Sequence, residues 1–514
     1  MVRHRIATAV LVTRASDAAV LCVLRAPELR FFGGYWAFPG GVLDPGDWAE
    51  AAEGAPEDGE REARALLCCG LRELFEETGI LPEALAGALD TAARDALRAA
   101  LLASEDGAAR RFRALVDAAP AVADEVSDLG TLTTPAFAPV RYRTRFCTSR
   151  SRGSNAEIAP RAAQRELVAC RVESPARWLA DWRSGAELIA PPVLFLLGEL
   201  QRAGLAAFVR DIGAEFAALE AGRMHTIRNV PGIVMAPLAT VTLPPATTTN
   251  AYVVGEERLF VVDPAPVDPR ELLRLEDMLD ARVAAGSRVA AVLLTHHHPD
   301  HVGGAAAIAR RYDVPVCSHP ETLARLDLGA TPTQALEDGA LLELGAAPDG
   351  AAGWTLRALH TPGHAPGHLC FLDSRYRALI AGDLVSTVST IVIDPADGGH
   401  LATYLASLQR VLDLGIGVLH PAHGPVASDG RAALVRYIEH RALRERALVS
   451  ALSAEGASAP LGARDVEALT RAVYADVEDP RLLPIAARSL RAGLIKLAEE
   501  GRARETAAGW VRVE

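Results

Sequence analysis

The chain has 514 residues and a formal net charge of −12, and 50% of its residues are hydrophobic and 23% charged. This is ordinary globular composition, so each domain has enough apolar material to bury, and disorder is not expected. At roughly 100–200 residues per domain we expect about three domains, and the negative total charge argues against a protein that coats nucleic acid non-specifically.

The cysteine and hydropathy patterns indicate the cellular compartment of the protein. Its seven cysteines are scattered without a CxxC spacing, which argues against a disulfide framework or a cysteine zinc ribbon. The apolar run over residues 6–12 lacks a small-residue cleavage pattern, so it predicts a first strand and not a signal peptide. The sequence contains no uninterrupted apolar span of about 18 residues, so no membrane-spanning helix is predicted. We therefore expect a cytoplasmic protein that has no membrane partner.

The first elements along the chain are strands followed by a helix. Residues 5–12 and 19–24 are rich in β-branched and apolar side chains and predict two short strands separated by a polar turn. A loop marked by Gly and Pro follows and runs to Asp47. A helix is predicted over residues 60–78, and it ends at Gly79.

The rest of the first part of the chain carries little chemistry of its own. The alanine-rich stretch over residues 82–126 has helical spacing and predicts a helical insertion. Strand-like segments follow at residues 140–147 and 167–172, and a helix-like segment at residues 192–220 leads to the first predicted domain boundary.

The end of the predicted helix over residues 60–78 concentrates acidic residues on one face. Glu73, Glu76 and Glu77 are spaced i, i+3 and i+4, so their carboxylates share a face and can hold Mg²⁺ or Mn²⁺ against a diphosphate. Arg72 can form an ion pair with one of these glutamates. We therefore predict Glu73, Glu76 and Glu77 as metal ligands and Arg72, Glu76 and Glu77 as catalytic residues, while a solvated acidic face is the alternative.

This acidic segment and an earlier glycine-rich segment resemble a known family. Residues 72–80, read with Trp36-Ala37-Phe38-Pro39-Gly40-Gly41, resemble the signature of the Nudix hydrolases. The regular signature places a glutamate eight residues before Arg72, where this chain has Arg64, and the interval from Gly41 to Arg72 is longer than usual.

The longer interval is similar to that of the Nudix subgroup containing the peroxisomal coenzyme A diphosphatases. The resemblance covers residues 7–200 and implies a Nudix α/β/α sandwich over residues 1–215. It also implies Mg²⁺- or Mn²⁺-dependent hydrolysis of coenzyme A or another nucleoside diphosphate derivative, with Glu166 as a further candidate ligand or base. The alternative, favoured by Arg64, is a module that only binds a nucleotide or coenzyme A.

From residue 227 onward strands and helices alternate, which predicts an α/β arrangement. The predicted strand over residues 289–294 runs directly into Thr295-His296-His297-His298-Pro299-Asp300-His301. Imidazole and carboxylate are the usual ligands of zinc-class ions. The alternation of His296, His298 and His301 around Asp300 allows one short loop to face two adjacent ions.

Three further polar residues close later apolar segments, and in this order the stretches resemble the metal motifs of the metallo-β-lactamase fold superfamily. These residues are His364, Asp383 and His423. The resemblance implies an αββα sandwich over residues 225–430 with two divalent ions, which we expect to be Zn²⁺. It implies one ion held by His296, His298 and His364, a second held by Asp300, His301 and His423, and Asp383 as the ligand shared by both.

The resemblance also implies the chemistry and the supporting residues. Two divalent ions lower the pKa of water and stabilise a developing oxyanion, which suits hydrolysis at a carbonyl or phosphorus centre. Asp300 is predicted as a catalytic residue as well as a ligand, and Asp263 as a residue that orients a ligand. Of the remaining histidines, none is predicted as a ligand, and His368 is expected to reach the substrate.

Residues 431–514 predict helices and a short hairpin-like tail. Together with the preceding part they resemble the lactamase-β-like protein 2 group, whose members carry a winged-helix-like C-terminal domain. The match covers residues 232–504 and implies hydrolysis of single-stranded RNA, although this region is close to charge balance, which is not typical of a nucleic-acid clamp.

The sequence therefore predicts a metal-dependent hydrolase of multidomain α/β architecture. The predicted substrates are single-stranded RNA or a small molecule that contains a diphosphate, ester or thioester. The alternative is a glyoxalase-II-like thioesterase, in which the Nudix-like part only binds a nucleotide or coenzyme A.

Overall fold

The computed structural model describes residues 4–29, 32–48, 58–138, 140–151, 166–224, 226–453 and 464–513. All predicted site residues lie within these ranges, whereas the predicted domain limits at residues 1, 225 and 514 lie outside them. The chain forms two compact units, residues 1–231 and 232–514. Within the described residues, no helix combines the length and the apolarity needed to cross a lipid bilayer.

The first unit contains a mixed β-sheet whose strands follow the order β3-β2-β1-β6-β5, with β4 paired to β1 and β7 paired to β2. Strands β1 and β6 are parallel and stay in register from Arg5–Tyr142 to Arg14–Ser151. The strands of this sheet are β1 (Arg5–Arg14), β2 (Val20–Arg25), β3 (Trp36–Ala37), β4 (Gly40–Val42), β5 (Val126–Thr133), β6 (Tyr142–Ser151) and β7 (Leu167–Glu173). A further strand of this part of the chain, β8 (Ile227–Val230), is not part of this sheet.

Helices cover both faces of this sheet because successive side chains of a strand point to opposite sides. On one face Val10 packs with Leu74; on the other Leu11 packs with Trp178 and Phe216. The helices are α1 (Asp58–Thr78), α2 (Glu83–Ala86), α3 (Thr91–Leu102), α4 (Ala108–Asp117), α5 (Pro175–Arg183), α6 (Pro191–Ala203) and α7 (Leu205–Glu220).

The structure confirms most of the predicted elements of this unit, but the predicted loop that runs to Asp47 contains the short strands β3 and β4, and α5 was not predicted. Helices α2 to α4 lie in the predicted helical insertion, and Phe75 of α1 stacks on Phe112 of α4 at 5.8 Å. The helix predicted over residues 192–220 is two helices, because Gly204 adopts φ +74° and ends α6. Strand β5 was not predicted, since half of its sequence VSDLGTLT is polar and it contains a glycine.

The second unit contains two sheets with helices packed against them. The first sheet contains β9 to β14 in sequence order, and the second contains β15 to β19 in sequence order. The strands are β9 (Ile233–Ala239), β10 (Thr248–Val254), β11 (Arg258–Val262), β12 (Arg288–Leu293), β13 (Val316–Ser318), β14 (Thr333–Ala335), β15 (Leu341–Gly345), β16 (Trp354–His360), β17 (Leu369–Asp373), β18 (Leu379–Gly382) and β19 (Leu419–Pro421).

Helices α8 and α10 pack against β12 of the first sheet. Helix α12 packs on the second sheet, where Tyr404 and Leu408 join the apolar cluster of Leu359 and Leu379. These layers agree with the predicted two-sheet sandwich. The helices are α8 (Pro269–Ala284), α9 (Pro299–Val302), α10 (Ala305–Tyr312), α11 (Pro320–Leu323) and α12 (Leu401–Asp413).

The two sheets of this unit meet at one edge. The backbone N–H of Asn250 in β10 donates to Ala422 O at 2.7 Å, and the Tyr252 hydroxyl donates to Pro421 O at 2.7 Å. Strands β11, β12, β18 and β19 each end within two residues of a predicted site residue or of the segment that carries one. The fold therefore brings residues that are far apart in sequence to one end of the sandwich.

The C-terminal part of this unit is a group of helices followed by a hairpin. Leu448, Leu469, Leu494 and Trp510 belong to one apolar cluster, so these elements share a core of their own. The elements are α13 (Gly430–Ser453), α14 (Val466–Val473), α15 (Leu483–Glu499), β20 (Ala503–Thr506) and β21 (Gly509–Arg512).

Candidate metal centre

Three imidazole nitrogens converge at the end of β12. His298 Nδ1 lies 2.9 Å from His296 Nε2 and 3.0 Å from His364 Nε2, and the two Nε2 atoms are 3.3 Å apart. Asp383 joins them, since ligand atoms of all four residues lie within 4.8 Å of one another. This is the donor set that the sequence assigned to the first ion.

Asp300, His301 and His423 form a second group whose ligand atoms also lie within 4.8 Å of one another. Asp383 stands between the two groups. Its Oδ2 is 3.5 Å from His364 Nε2, whereas its Oδ1 is 3.6 Å from His301 Nε2 and 3.4 Å from His423 Nε2. One carboxylate therefore offers one oxygen to each group.

Two atoms in this cage are buried polar groups that lack a hydrogen bond within the described residues, namely His301 Nε2 and Asp383 Oδ1. Leaving such groups unsatisfied costs roughly 1–3 kcal/mol each. A cation between them would use both lone pairs, so the nitrogen and carboxylate donors present here fit divalent ions of the zinc class.

The second ring nitrogen of each candidate histidine ligand is also held, which fixes how the ring faces the cage. His301 Nδ1 contacts Asp263 Oδ2 at 2.8 Å, and His298 Nε2 contacts Asp397 Oδ2 at 2.6 Å. The remaining partners are Thr295 Oγ1 for His296 (3.0 Å), Val392 O for His364 (2.8 Å) and Thr248 O for His423 (3.0 Å).

Asp263, which the sequence predicted as an orienting residue, has the contacts that such a role requires. It follows β11 with φ +47°, a left-handed conformation that non-glycine residues rarely adopt. Its carboxylate accepts hydrogen bonds from the Thr295 N–H at 2.8 Å and the Thr295 hydroxyl at 2.6 Å, in addition to the ring of His301. The strained backbone therefore places one carboxylate against two segments of the site.

The ion-free cage stabilises positive charge. Burial opposes protonation of His301, but Asp383, Asp263 and Asp300 outweigh it and raise the pKa of His301 to about 10. Burial alone would raise the pKa of Asp383, yet the surrounding histidines hold it well below its usual range. Burial lowers the pKa of His364 to about 4, so its ring is neutral and its Nε2 lone pair is available at neutral pH.

The expectation that His368 reaches the substrate is wrong. Its side chain is fully buried, its Nε2 accepts the backbone N–H of Asp383 at 3.0 Å, and its Nδ1 lies 2.8 Å from the Thr361 hydroxyl. His368 instead supports the backbone that carries Asp383. Sequence spacing could not show this, because the direction of a loop side chain depends on its tertiary partners.

The first unit brings Glu73 and Glu76 to Arg72 and places Glu77 against the Gly40 backbone. The Arg72 guanidinium lies 2.9 Å from Glu73 Oε1 and 3.4 Å from Glu76 Oε2, and Glu77 Oε2 accepts the Gly40 N–H at 3.1 Å. Among the described residues, these three glutamates are not one of the groups whose ligand atoms lie within 4.8 Å of one another.

Burial raises the pKa values of these three carboxyl groups above the usual range of glutamate. Burial raises the pKa of Glu73 to about 7, and it raises the pKa of Glu77 well above its usual value. Burial also raises the pKa of Glu76, and the charge of Glu166 adds to the increase. The solvated-face alternative fits Glu76 and Glu77 poorly, since their side chains are partly or fully buried. Glu166 is exposed but lies within electrostatic reach of Glu76.

The sequence did not identify Asp47 as a partner of Arg72. Asp47 Oδ1 and Oδ2 accept from Arg72 Nε and Nη2 at 2.8 and 3.0 Å, and the Asp47 side chain is fully buried. Arg64, which stands where the Nudix signature has a glutamate, is exposed. The sequence offered one signal for this pair. Asp47 is an acidic residue at the end of the glycine-rich loop, and the helix that follows carries Arg72.

Comparisons with protein families agree with the second unit. A model of the Metallo-beta-lactamase superfamily matches residues 244–423, and a model of the Beta-lactamase associated winged helix domain matches residues 466–510. The second match confirms the predicted winged-helix domain at the C terminus.

Several known proteins are similar to parts of this chain. The lactamase-like protein adaB of Aspergillus niger is 32% identical over 244 residues, which is 45% of this chain and 69% of that protein. The atrochrysone carboxyl ACP thioesterase nsrC of Aspergillus novofumigatus is 29% identical over 263 residues, which is 49% of this chain and 74% of that protein.

Two solved structures also resemble parts of the chain. A metallo-beta-lactamase family protein of Thermus thermophilus has 24% identity and a TM-score of 0.43, covering 55% of this chain and 99% of its own. A NUDIX hydrolase from Alicyclobacillus acidocaldarius has 28% identity and a TM-score of 0.30, covering 39% of this chain and 92% of its own.

Proposed function

Since this chain belongs to the metallo-beta-lactamase superfamily of hydrolases, we propose that its second unit is a two-ion hydrolase of acyl thioesters. The observation that carries the proposal is the cage around Asp383, in which one carboxylate faces two histidine groups and two buried ligand atoms, His301 Nε2 and Asp383 Oδ1, accept or donate no hydrogen bond among the described residues. Zn²⁺ is the proposed ion, because imidazole and carboxylate donors suit it.

In the proposed centre His296, His298 and His364 hold one ion, Asp300, His301 and His423 hold the other, and Asp383 is shared. Divalent ions bound there supply Lewis acidity, which polarises a carbonyl oxygen and makes water a better nucleophile near neutral pH. The residues supply rigidity: Asp263 directs His301, and the His368 ring supports the backbone of Asp383.

Asp300 is the proposed catalytic residue among the ligands. Its side chain is 18% exposed, whereas those of His301, Asp383 and His423 are 0%, 13% and 7% exposed. The Asp300 carboxylate is therefore the most solvent-open group of its ion's ligands, and it is placed to accept a proton at Oδ1 or Oδ2 and to release it to bulk water.

A thioester is proposed as the substrate because two relatives at 29% identity are named atrochrysone carboxyl ACP thioesterases. Thioester carbonyls need no protein nucleophile when the site provides Lewis acidity. Single-stranded RNA, which the resemblance to the lactamase-β-like protein 2 group implied, is the competing substrate, and the chain's net charge of −12 disfavours it.

The test uses the full chain loaded with Zn²⁺ and a panel of substrates. Acyl-coenzyme A, acyl-glutathione and acylated carrier protein are followed by release of the free thiol, and end-labelled single-stranded RNA is followed by gel. We expect thiol release that is lost in His298→Ala together with bound metal. Cleavage of RNA without any thioester hydrolysis, or full activity of His298→Ala with unchanged metal, would overturn the proposal.

A second activity is proposed for the first unit, namely Mg²⁺-dependent hydrolysis of coenzyme A or a related nucleoside diphosphate derivative. The observation that favours it is the set of partly or fully buried carboxylates on α1, whose pKa values burial raises even beside Arg72. A divalent cation bound to them would favour their charged form. Gly41 lies against this set, since a Cβ there would be 2.4 Å from the Glu73 carboxyl carbon. The backbone of that loop can therefore approach a diphosphate closely.

Hydrolysis and simple binding by this unit are separated by one titration. The full chain is incubated with coenzyme A with and without Mg²⁺, and both binding heat and release of 3′,5′-ADP are measured. Release that depends on Mg²⁺ supports hydrolysis. Binding without release supports the alternative, in which this unit only captures the nucleotide.

A further inference from the structure

One loop orients two of the three histidines in the first ligand group. We call this segment, residues 391–397 between β18 and α12, the orienting loop. Val392 O lies 2.8 Å from His364 Nδ1, and Asp397 Oδ2 lies 2.6 Å from His298 Nε2. The third member, His296, is contacted by Thr295, its own neighbour in sequence.

These two contacts decide which ring nitrogen carries the proton. A carbonyl oxygen can only accept, so the Val392 contact requires the proton of His364 on Nδ1 and leaves the Nε2 lone pair facing the cage. The Asp397 carboxylate likewise draws the proton of His298 to Nε2, which leaves Nδ1 facing His296 and His364. A shift of the orienting loop would therefore change both the direction and the tautomer of two ligands.

The orienting loop is held by helices of the C-terminal part. The Ile391 N–H donates to the hydroxyl of Tyr437, and Arg441 donates to Ile391 O; both partners belong to α13. The Ile393 N–H donates to Ser489 Oγ in α15 at 3.1 Å.

The residues on either side of Val392 are thus both hydrogen-bonded to the C-terminal helices, and Arg488 of α15 forms an ion pair with Asp394 at 3.3 Å. The second ligand group has different support. His301 is oriented by Asp263 after β11, and His423 by Thr248 O of β10, and neither partner belongs to the C-terminal helices. The residues that orient His298 and His364 therefore lie in a different part of the unit from those that orient His301 and His423.

We infer that Tyr437, Arg441 and Ser489 are positioning residues for the first ion, and that the C-terminal helices set the affinity of that ion without contacting it. This inference rests on the metal centre proposed above. Loosening α13 or α15 from the orienting loop then lowers the affinity for the first ion and leaves the second ion bound.

The experiment compares the full-length protein with Tyr437→Phe and Ser489→Ala, each loaded with Co²⁺ as a spectroscopic substitute for Zn²⁺. Metal content is measured against increasing chelator, and the visible absorption of bound Co²⁺ reports the ligand geometry. We expect each variant to lose one of its two ions at about 10–100-fold lower chelator concentration, with a changed absorption spectrum for that ion.

Two matched variants separate positioning from general loss of structure. Tyr474→Phe makes the same change within the C-terminal part, where the Tyr474 ring lies on Arg444, and it should behave like the wild type. Ser489→Thr keeps a hydroxyl and should restore the wild-type spectrum and metal retention.

The outcomes distinguish this inference from the proposed function. If the wild type binds two ions and Tyr437→Phe and Ser489→Ala release them like the wild type, the inference is overturned while the metal centre stands. Equal weakening of both ions in these variants also overturns it. If the wild type binds fewer than two ions, the proposed centre fails and the inference fails with it.

Discussion

Asp263 Oδ2 and His301 Nδ1 lie 2.8 Å apart, and their side chains are 3% and 0% exposed. The carboxylate attracts the ring proton to Nδ1 and leaves Nε2 directed toward Asp383 and Asp300. Because Asp263 also accepts two hydrogen bonds from Thr295, the residue before His296, a single buried charge orders both parts of the histidine cluster.

Replacing Asp263 with Asn should weaken the second ion. Asn keeps the size and tolerates the left-handed backbone, but it removes the charge that holds His301. We expect metal affinity at the second group to fall about 10–100-fold. The first ion should be weakened less, because Asp263 reaches its ligand His296 only through Thr295. Metal analysis after dialysis against graded chelator measures both effects. Asp313→Asn is the matched control, since Asp313 has φ +52° and lies outside the site. Retention of both ions by Asp263→Asn would contradict the orienting role.

Replacing Asp383 with Asn should remove the negative charge shared by the two groups. The two cations would then repel each other more strongly, so the second ion should bind much more weakly and turnover should fall by orders of magnitude. Metal counting and thioester hydrolysis measured on the same sample check this. A variant that kept both ions and a near-normal rate would show that Asp383 is not a shared ligand.

Metal uptake should release protons, because the pKa of His301 in the ion-free protein is about 10. At a pH of about 7.5, well below that pKa, the entering ion must displace this proton, which a pH indicator in weakly buffered solution detects. The ion-free protein should also show a matching stability change. Since the folded form binds this proton more tightly, His301 adds stability that is fully present below the ordinary pKa of 6.5 and is lost as the pH rises through about 10.

The control for that pH dependence is the metal-loaded protein, in which His301 carries no proton on Nε2 and the loss between those pH values should be absent. Thermal unfolding of the chelated and loaded forms across this range measures the difference. Identical pH profiles of the two forms would show that His301 does not face the metal.

Replacing Glu76 with Gln should abolish Mg²⁺-dependent diphosphate hydrolysis and leave thioester hydrolysis within a few-fold, because the two sites belong to separate units. Glu60→Gln changes an exposed residue of the same helix and serves as the control. Both activities are measured on one preparation. Parallel loss of both activities in a folded Glu76→Gln protein would refute the two-site model.

Replacing Asp47 with Asn should destabilise the first unit. The change removes the negative charge that pairs with the buried Arg72 guanidinium. Breaking a buried ion pair in this way lowers the free energy of unfolding by on the order of 3–5 kcal/mol. Denaturant unfolding measures the loss.

Replacing Arg64 with Glu should not raise the diphosphatase activity, since the Arg72 guanidinium already forms its ion pair with Asp47. Increased activity of Arg64→Glu would show that the missing signature glutamate matters.

Features that depend on local spacing could be predicted from the sequence. Residues 296–301 follow a buried strand and turn into a short helix, so this one segment supplies ligands to both groups, namely His296 and His298 to the first and Asp300 and His301 to the second. The predicted helix over residues 60–78 ends where Gly79 adopts φ +79°, and the acidic face follows from helical geometry. Such features need no knowledge of distant residues.

The remote groups that complete these sites could not be predicted from the sequence, because they come together only when the elements pack. Asp397 contacts His298 across 99 residues of sequence, and Asp47 contacts Arg72 across 25 residues. Neither pair leaves a periodic signal, because a single carboxylate in a loop is compatible with many folds. The direction of His368 and the support of Val392 by α13 and α15 depend likewise on how the layers pack. Hydrogen bonds between loops are set by the positions of whole elements, and these positions follow from burial of the core, not from any local run of residues.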